Sequence, residues 1–130
     1  MESAVIAVDF DSTIAHYSGW KGVGVFGPPI QGVQWALGKL KEMGATIIVH
    51  TCRAETRLIS AYLKENEIPY DYINFSPQNE KLKLSEKKIA ADIYIDDRSL
   101  NFRGSWPDTF REAINFSPWE RKYGTAALRS

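Results

Sequence analysis

The chain has 130 residues, 44% of them apolar and 25% charged, with a formal net charge of zero. That is enough for one globular domain with a real core, and it gives the molecule no overall electrostatic pull toward nucleic acid or an anionic membrane. The single cysteine, Cys52, excludes an internal disulfide and favours a reducing compartment. No apolar run approaches the roughly 20 residues that span a bilayer, and no basic leader precedes the first apolar stretch, so a soluble, cytoplasmic protein is expected.

Taken in order, Val5 to Val8 is a run of small and β-branched apolar residues, the composition of a strand buried on both faces. It runs into Asp9-Phe10-Asp11-Ser12-Thr13. Delivering two carboxylates at the end of a buried strand is costly unless they have a use. His16 to Pro29 holds four glycines, two prolines and Tyr17, Trp20 and Phe26, and reads as a loop or short hairpin beside the acidic turn. Pro28-Pro29 opens a helix whose apolar positions are Ile30, Val33, Leu37, Leu40 and Met43, stopped by Gly44. Ala45 to His50 is a second strand, ending at Thr51.

Arg53 to Glu65 is expected to be a helix with Leu58, Ile59, Tyr62 and Leu63 inward, and Tyr70 to Phe75 a third strand. Ser76 to Asn79 reads as a polar turn, and the lysine-rich Glu80 to Ala90 as a helix of weak periodicity. Asp92 to Ile95 is a fourth strand running into Asp96-Asp97. Ser105-Trp106-Pro107-Asp108 starts a capped helix with Trp106, Phe110, Ala113 and Ile114 inward. Residues 1–115 then form the core, and 116–130 a loosely docked tail. Strands alternating with helices argue for βαβ units and a parallel sheet. In such a sheet the strand ends carry Asp9/Asp11, Thr51, Asn74 and Asp96/Asp97 to one edge.

Up to four acids around one small volume repel strongly. Two charges 4 Å apart cost roughly 4 kcal/mol at an effective dielectric of 20. Such a cluster calls for a divalent cation, and an all-oxygen site with bound waters suits Mg²⁺. Bound Mg²⁺ attracts phosphate. Thr51 and the turn amides from Phe10 through Ser12 to Thr13 are candidate donors to its oxygens, and a lysine would neutralise the rest.

The turn Asp9 to Thr13, the triplet Val49-His50-Thr51, a lysine ahead of the fourth strand and Tyr94-Ile95-Asp96-Asp97-Arg98 resemble the four motifs of the haloacid dehalogenase-like (HAD) phosphohydrolases, in the same order. The resemblance covers residues 4 to 104. It implies a Rossmann-like three-layer sandwich with the first strand central, and Mg²⁺-dependent phosphomonoester hydrolysis through an aspartyl-phosphate. In that reading Asp9 is the nucleophile, Asp11 the general acid/base, and Thr51 the holder of the phosphoryl group. Lys88 is the lysine that best fits the pattern, with Lys81, Lys83 and Lys87 as candidates. Asp97, with Asp96, joins Asp9 and the backbone carbonyl of Asp11 at the metal.

Cys52 and Arg53 follow Thr51 and are placed with the phosphate-binding residues. As residue types alone, Cys52 reads as a buried spectator and Arg53 equally as a surface helix residue. His16 and His50 read as structural.

The stretches between Thr13 and Thr51 and between Thr51 and Lys88 are used up by core elements, which leaves no room for a cap domain. The open site this implies suits bulky substrates, or a lid from a second copy in a homo-oligomer; a phosphorylated small molecule such as a nucleotide is the expected substrate, and the end of a nucleic acid an alternative. Zero net charge weighs against long nucleic acid. Trp20 is a candidate to stack on the substrate. The competing reading is a catalytically silent Mg²⁺/phosphate-binding module, although retention of Asp9 weighs against it. The order of the acidic residues does not fit a response-regulator receiver.

Overall fold

The computed structural model describes residues 1–85 and 87–120. Strand β1 (Val5–Asp9) is buried along its whole length, as a β-branched run covered on both faces should be. It pairs in parallel with β2 (Thr46–His50) on one side and β4 (Ile93–Ile95) on the other. A short β3 (Tyr72–Ile73) pairs in parallel outside β2, which gives the sheet order β3-β2-β1-β4. With helices α1 (Val33–Glu42), α2 (Thr56–Glu65), α3 (Pro77–Lys81) and α4 (Trp106–Ile114), this is the expected α/β fold of the Rossmann-like three-layer type. The first strand is central, as expected.

Two features of this topology position the site. The chain steps outward from β1 to β2 to β3 and then jumps back to β4, so the strand order reverses between β1 and β4. The crevice beyond the carboxyl ends of such a pair is where open α/β sheets bind ligands. The register is the second feature. Asp9 lies opposite His50, and Val8 opposite Ile95, so Asp96 comes level with Asp9. Residues at one level of a parallel sheet point to the same face.

The core gathers Ile6, Val8, Phe10, Ile14, Leu37, Ile47, Val49, Ile59, Leu63 and Ile68. Phe10, Phe26 and Tyr62 meet edge to face at 5.3–5.5 Å between ring centres. The base of the His16–Pro29 loop is closed by His16 N–H donating to the Pro28 carbonyl at 2.9 Å and Ile30 N–H to Ile14 at 2.8 Å. Gly27 has to be glycine there, because a Cβ would lie 2.1 Å from the His16 carbonyl oxygen.

Several element boundaries differ from expectation. Helix α1 starts at Val33 rather than after Pro28-Pro29, because Pro29 bridges to Ala15 and Gly32 takes a left-handed turn with φ of 90°. Helix α2 starts at Thr56, since Arg53 is drawn into the site, and Leu58, expected inward, is exposed. The expected helix over Glu80 to Ala90 is not formed beyond Lys81 among the described residues. Helix formation begins earlier, on Ser76 and Pro77, and stops at Lys81.

Beyond Lys81, the buried Asn79 side chain organises the chain as a loop. It donates to the Ser85 carbonyl at 2.7 Å and the Lys88 carbonyl at 2.8 Å, and accepts from Ala90 N–H at 2.8 Å. Helix α4 is capped by the Ser105 side chain as expected, yet Trp106, Phe110, Ala113 and Ile114 are exposed rather than inward. Residues 121–130 of the expected tail lie outside the described residues. None of the described helices is long and apolar enough to cross a membrane.

Candidate active site

Asp9 ends the buried central strand and is itself 8% exposed. Two cavities meet at it. One, of about 1190 Å³, opens toward β4 and is lined by His50, Asn74, Lys87, Lys88 and Asp96 among others. The other, of about 210 Å³, is lined by Asp11, Tyr17, Trp20 and Arg53. Asp9, Thr51 and Cys52 face both. Cys52 is therefore an exposed wall residue and not a buried spectator.

The turn after Asp9 is tied to itself. The Phe10 carbonyl accepts from Thr13, Ile14 and Ala15 N–H at 3.3, 2.9 and 3.1 Å, and Ser12 N–H donates to Ala15 at 2.7 Å. The Ser12 and Thr13 amides are thus engaged within the turn and do not point outward to a phosphate. Phe10 puts its ring in the core, and Ser12, at φ of 64°, is 1% exposed and lines neither cavity. Thr13 turns its hydroxyl to Asp9, Oγ1 to Oδ2 at 3.4 Å. Of these expected phosphate binders, only Thr13 touches the acid at the centre.

Thr51 is held from outside. The Asn74 side chain accepts from Thr51 N–H at 2.8 Å and donates to its carbonyl at 3.1 Å. Asn74 does this from a left-handed backbone with φ of 51°, which asparagine tolerates better than most residues. The Thr51 hydroxyl accepts Arg53 N–H at 3.1 Å, and Thr51 lines both cavities.

Asp11 and Arg53 form the tightest ion pair of the site. Arg53 Nε donates at 3.1 and 2.8 Å to the two Asp11 oxygens and its second terminal nitrogen at 3.0 Å, a forked geometry. Arg53 also faces Glu55 at 3.6 Å, and the rings of Trp20, Phe26 and Tyr17 at 5.0, 4.9 and 5.6 Å. Burial would pull the guanidinium pKa down, but the hydrogen bonds and charge of Asp11, with the charge of Glu55, outweigh it and raise it above the ordinary arginine value. Arg53 is not a surface helix residue: it is buried, fixes Asp11 and lines the smaller cavity. Trp20 covers it and remains more than half exposed.

The acidic pair after β4 divides. Asp96 lines the larger cavity, with Oδ2 3.9 Å from His50 Nε2 and Oδ1 accepting Arg98 N–H at 2.8 Å. The Asp97 side chain is 1% exposed, faces Arg98 at 3.9 Å and lines neither cavity. Donor atoms of Asp9, His50 and Asp96 all lie within 4.8 Å of one another, a grouping able to hold a metal ion. His50, read as structural from sequence, is the addition. The two adjacent residues Asp9 and His50 are made neighbours by strand register, which a sequence does not print. Among the lysines, Lys88 and Lys87 line the larger cavity and Lys81 and Lys83 do not. Lys88 Nζ sits 5.0 Å over the Tyr94 ring.

The segment after α4 returns to the acidic turn. Trp119 Nε1 donates to the Ser12 carbonyl at 2.7 Å, and the Glu120 carboxylate accepts Tyr17 N–H at 3.0 Å and meets His16 Nδ1 at 2.7 Å. Burial would raise the Glu120 pKa, but its hydrogen bonds with His16 and Tyr17 prevail and lower it.

The fold and an acidic cavity at its switch point define the class, a parallel α/β protein with a candidate metal-binding edge. No protein-family model matches the chain, and no curated protein matches it. A solved structure from Bacteroides thetaiotaomicron, described as that of a conserved protein coded by one of its loci, is similar at a TM-score of 0.63 and 22% identity. The likeness covers 88% of this chain and 92% of that one. It extends the fold over nearly the whole chain.

Proposed function

We propose that this protein is a divalent-metal-dependent phosphomonoester hydrolase, as its resemblance to the HAD phosphohydrolases implies. The observation that carries the reading is the place of Asp9. It is a buried carboxylate at the end of the central strand, level with Asp96, and it faces both cavities at the switch point. An Asp9 oxygen attacks phosphorus, and the bond to the ester oxygen breaks as Asp11 delivers a proton to it. Water then attacks the aspartyl-phosphate, Asp11 takes its proton, and Asp9 is restored as inorganic phosphate leaves. Arg53 aims Asp11 at this task through its fork. The Thr51 hydroxyl donates to a phosphoryl oxygen, and Lys88 brings positive charge from the larger cavity.

Asp9 and Asp96 would hold the metal ion, which when bound would offset the charge on the phosphoryl oxygens. Two carboxylates beside open space for water fit such an ion in donor type. The larger cavity, which holds Asp96 and Lys88, receives the phosphoryl group, and the smaller one, walled by Asp11, Tyr17 and Trp20, receives the leaving group.

The test is hydrolysis of a panel of phosphorylated metabolites, nucleotides and phosphorylated oligonucleotides with and without divalent ions. Turnover should stop with chelator, and Asp9→Asn should retain less than about 1% of it with the fold unchanged by circular dichroism. Full turnover in excess chelator refutes the reading. Metal and phosphate binding without turnover on any substrate would assign the silent module instead.

A further inference from the structure

The donors that register brings level at the end of the sheet are not all oxygen. We propose that the edge of this sheet is a mixed nitrogen–oxygen metal centre with His50 Nε2, Asp9 and Asp96 as its protein ligands. It takes Mn²⁺, or a neighbouring first-row ion, in preference to Mg²⁺. Its use in hydrolysis rests on the reading above, whereas its binding chemistry does not.

Three adjacent strands each contribute one donor. Asp9 pairs with His50 across β1 and β2, and Asp96 follows the Val8–Ile95 pair across β1 and β4, so the three side chains leave one face at one level. All three open into the same cavity, with their ligating atoms inside a 4.8 Å span. His50 Nε2 and Asp96 Oδ2 are 3.9 Å apart. That is within the separation of two ligands of one ion whose bonds are each about 2.0–2.2 Å. Arg53 is forked onto Asp11 and faces Glu55, and Arg98 Nε lies 3.9 Å from Asp97.

Mg²⁺ is small and hard and keeps oxygen ligands, so an imidazole is a poor partner for it. Mn²⁺, Fe²⁺, Co²⁺ and Zn²⁺ accept imidazole and bind N/O sites in a rising order. Three protein donors also leave coordination positions for water and a phosphoryl oxygen.

The whole chain, stripped of metal, is titrated with Mn²⁺ while electron paramagnetic resonance follows the free ion, and Mg²⁺ is then added as competitor. Mn²⁺ should bind at least about tenfold more tightly than Mg²⁺. The echo-modulation spectrum of bound Mn²⁺ should show a directly coordinated nitrogen. His50→Gln should remove that nitrogen signal and weaken Mn²⁺ about tenfold or more while changing Mg²⁺ by less than about threefold. Mg²⁺ binding as tightly as Mn²⁺, or a bound-Mn²⁺ spectrum without nitrogen, overturns the proposal. Should His50→Gln fail to fold, the spectrum of the unaltered protein still decides it. Intact metal binding without hydrolysis would count against the phosphatase reading alone. Mg²⁺-supported hydrolysis with no nitrogen coupling would count against this inference alone.

Discussion

At the scale of single residues, Arg53 shows how a charge becomes a rigid part. Its side chain is 5% exposed, forked onto Asp11 and ringed by three aromatic side chains. A lysine would keep the charge but lose the fork and the flat stacking face. Arg53→Lys should therefore lower kcat about 10–100-fold, the cost of a misaimed group, while metal affinity measured by calorimetry changes by less than about threefold. Arg53→Ala leaves a carboxylate facing aromatic walls and should cost about 3–5 kcal/mol in urea unfolding. Full activity in Arg53→Lys with loss in Arg53→Ala would mean that Asp11 needs only a nearby charge. The sequence marked Arg53 as an even choice between phosphate contact and surface, because its partners Tyr17, Trp20 and Phe26 sit in a loop far back in the chain. His50 was hidden for a related reason. The pattern of β2 shows its face but not which residue of β1 it will meet.

Elements were legible where one local rule dominated. The buried β1, the stop at Gly44 and the alternation of strands and helices all followed from composition and period. The segment after Ser76 was not, because its structure is set by one side chain. Asn79 makes three hydrogen bonds to a lysine-rich stretch whose own pattern is weak, and they turn Lys87 and Lys88 into the cavity. Asn79→Ala should cost about 2–3 kcal/mol for buried partners left unmade. It should also lower kcat with little change in KM if Lys88 acts on the transition state. Thermal unfolding and steady-state kinetics check the two parts, and a stability loss with full kcat would remove Lys88 from the mechanism. The loop His16–Pro29 makes the complementary prediction. Trp20 lies against Arg53 with one face and is exposed with the rest, and stacking on a base gives about 1–3 kcal/mol. Trp20→Ala should then cut kcat/KM about 10–100-fold for a nucleotide and leave a simple aryl phosphate nearly unchanged. Equal losses on both would make the loop a support only.

Across the whole molecule, the last described residues return to the acidic turn that follows the first strand. No local pattern in Asn115 to Glu120 announces this, since its partners lie more than a hundred positions away. For the same reason helix α4 was legible as a helix but not in what it faces: amphipathicity says that a side seeks cover and not where cover is found. Glu120 offers the cleanest measure of the closure. Its carboxylate holds Tyr17 N–H and His16, and its pKa is lowered from about 4.5 by those bonds against the opposing effect of burial. A carboxylate whose folded pKa lies below its unfolded one adds stability that is complete above the unfolded value. That stability fades as pH falls through the folded value. The unaltered protein should therefore exceed Glu120→Gln by about 1–3 kcal/mol at pH 5 and above, the range for a hydrogen bond to a charged group. The gap should shrink as pH drops below about 4.5, followed by thermal unfolding at each pH. A gap that persists undiminished to pH 2 would mean that the contact is one of packing rather than charge. Trp119→Phe, which keeps a ring but loses the donor to Ser12, should then carry most of the destabilisation, and its effect should be independent of pH.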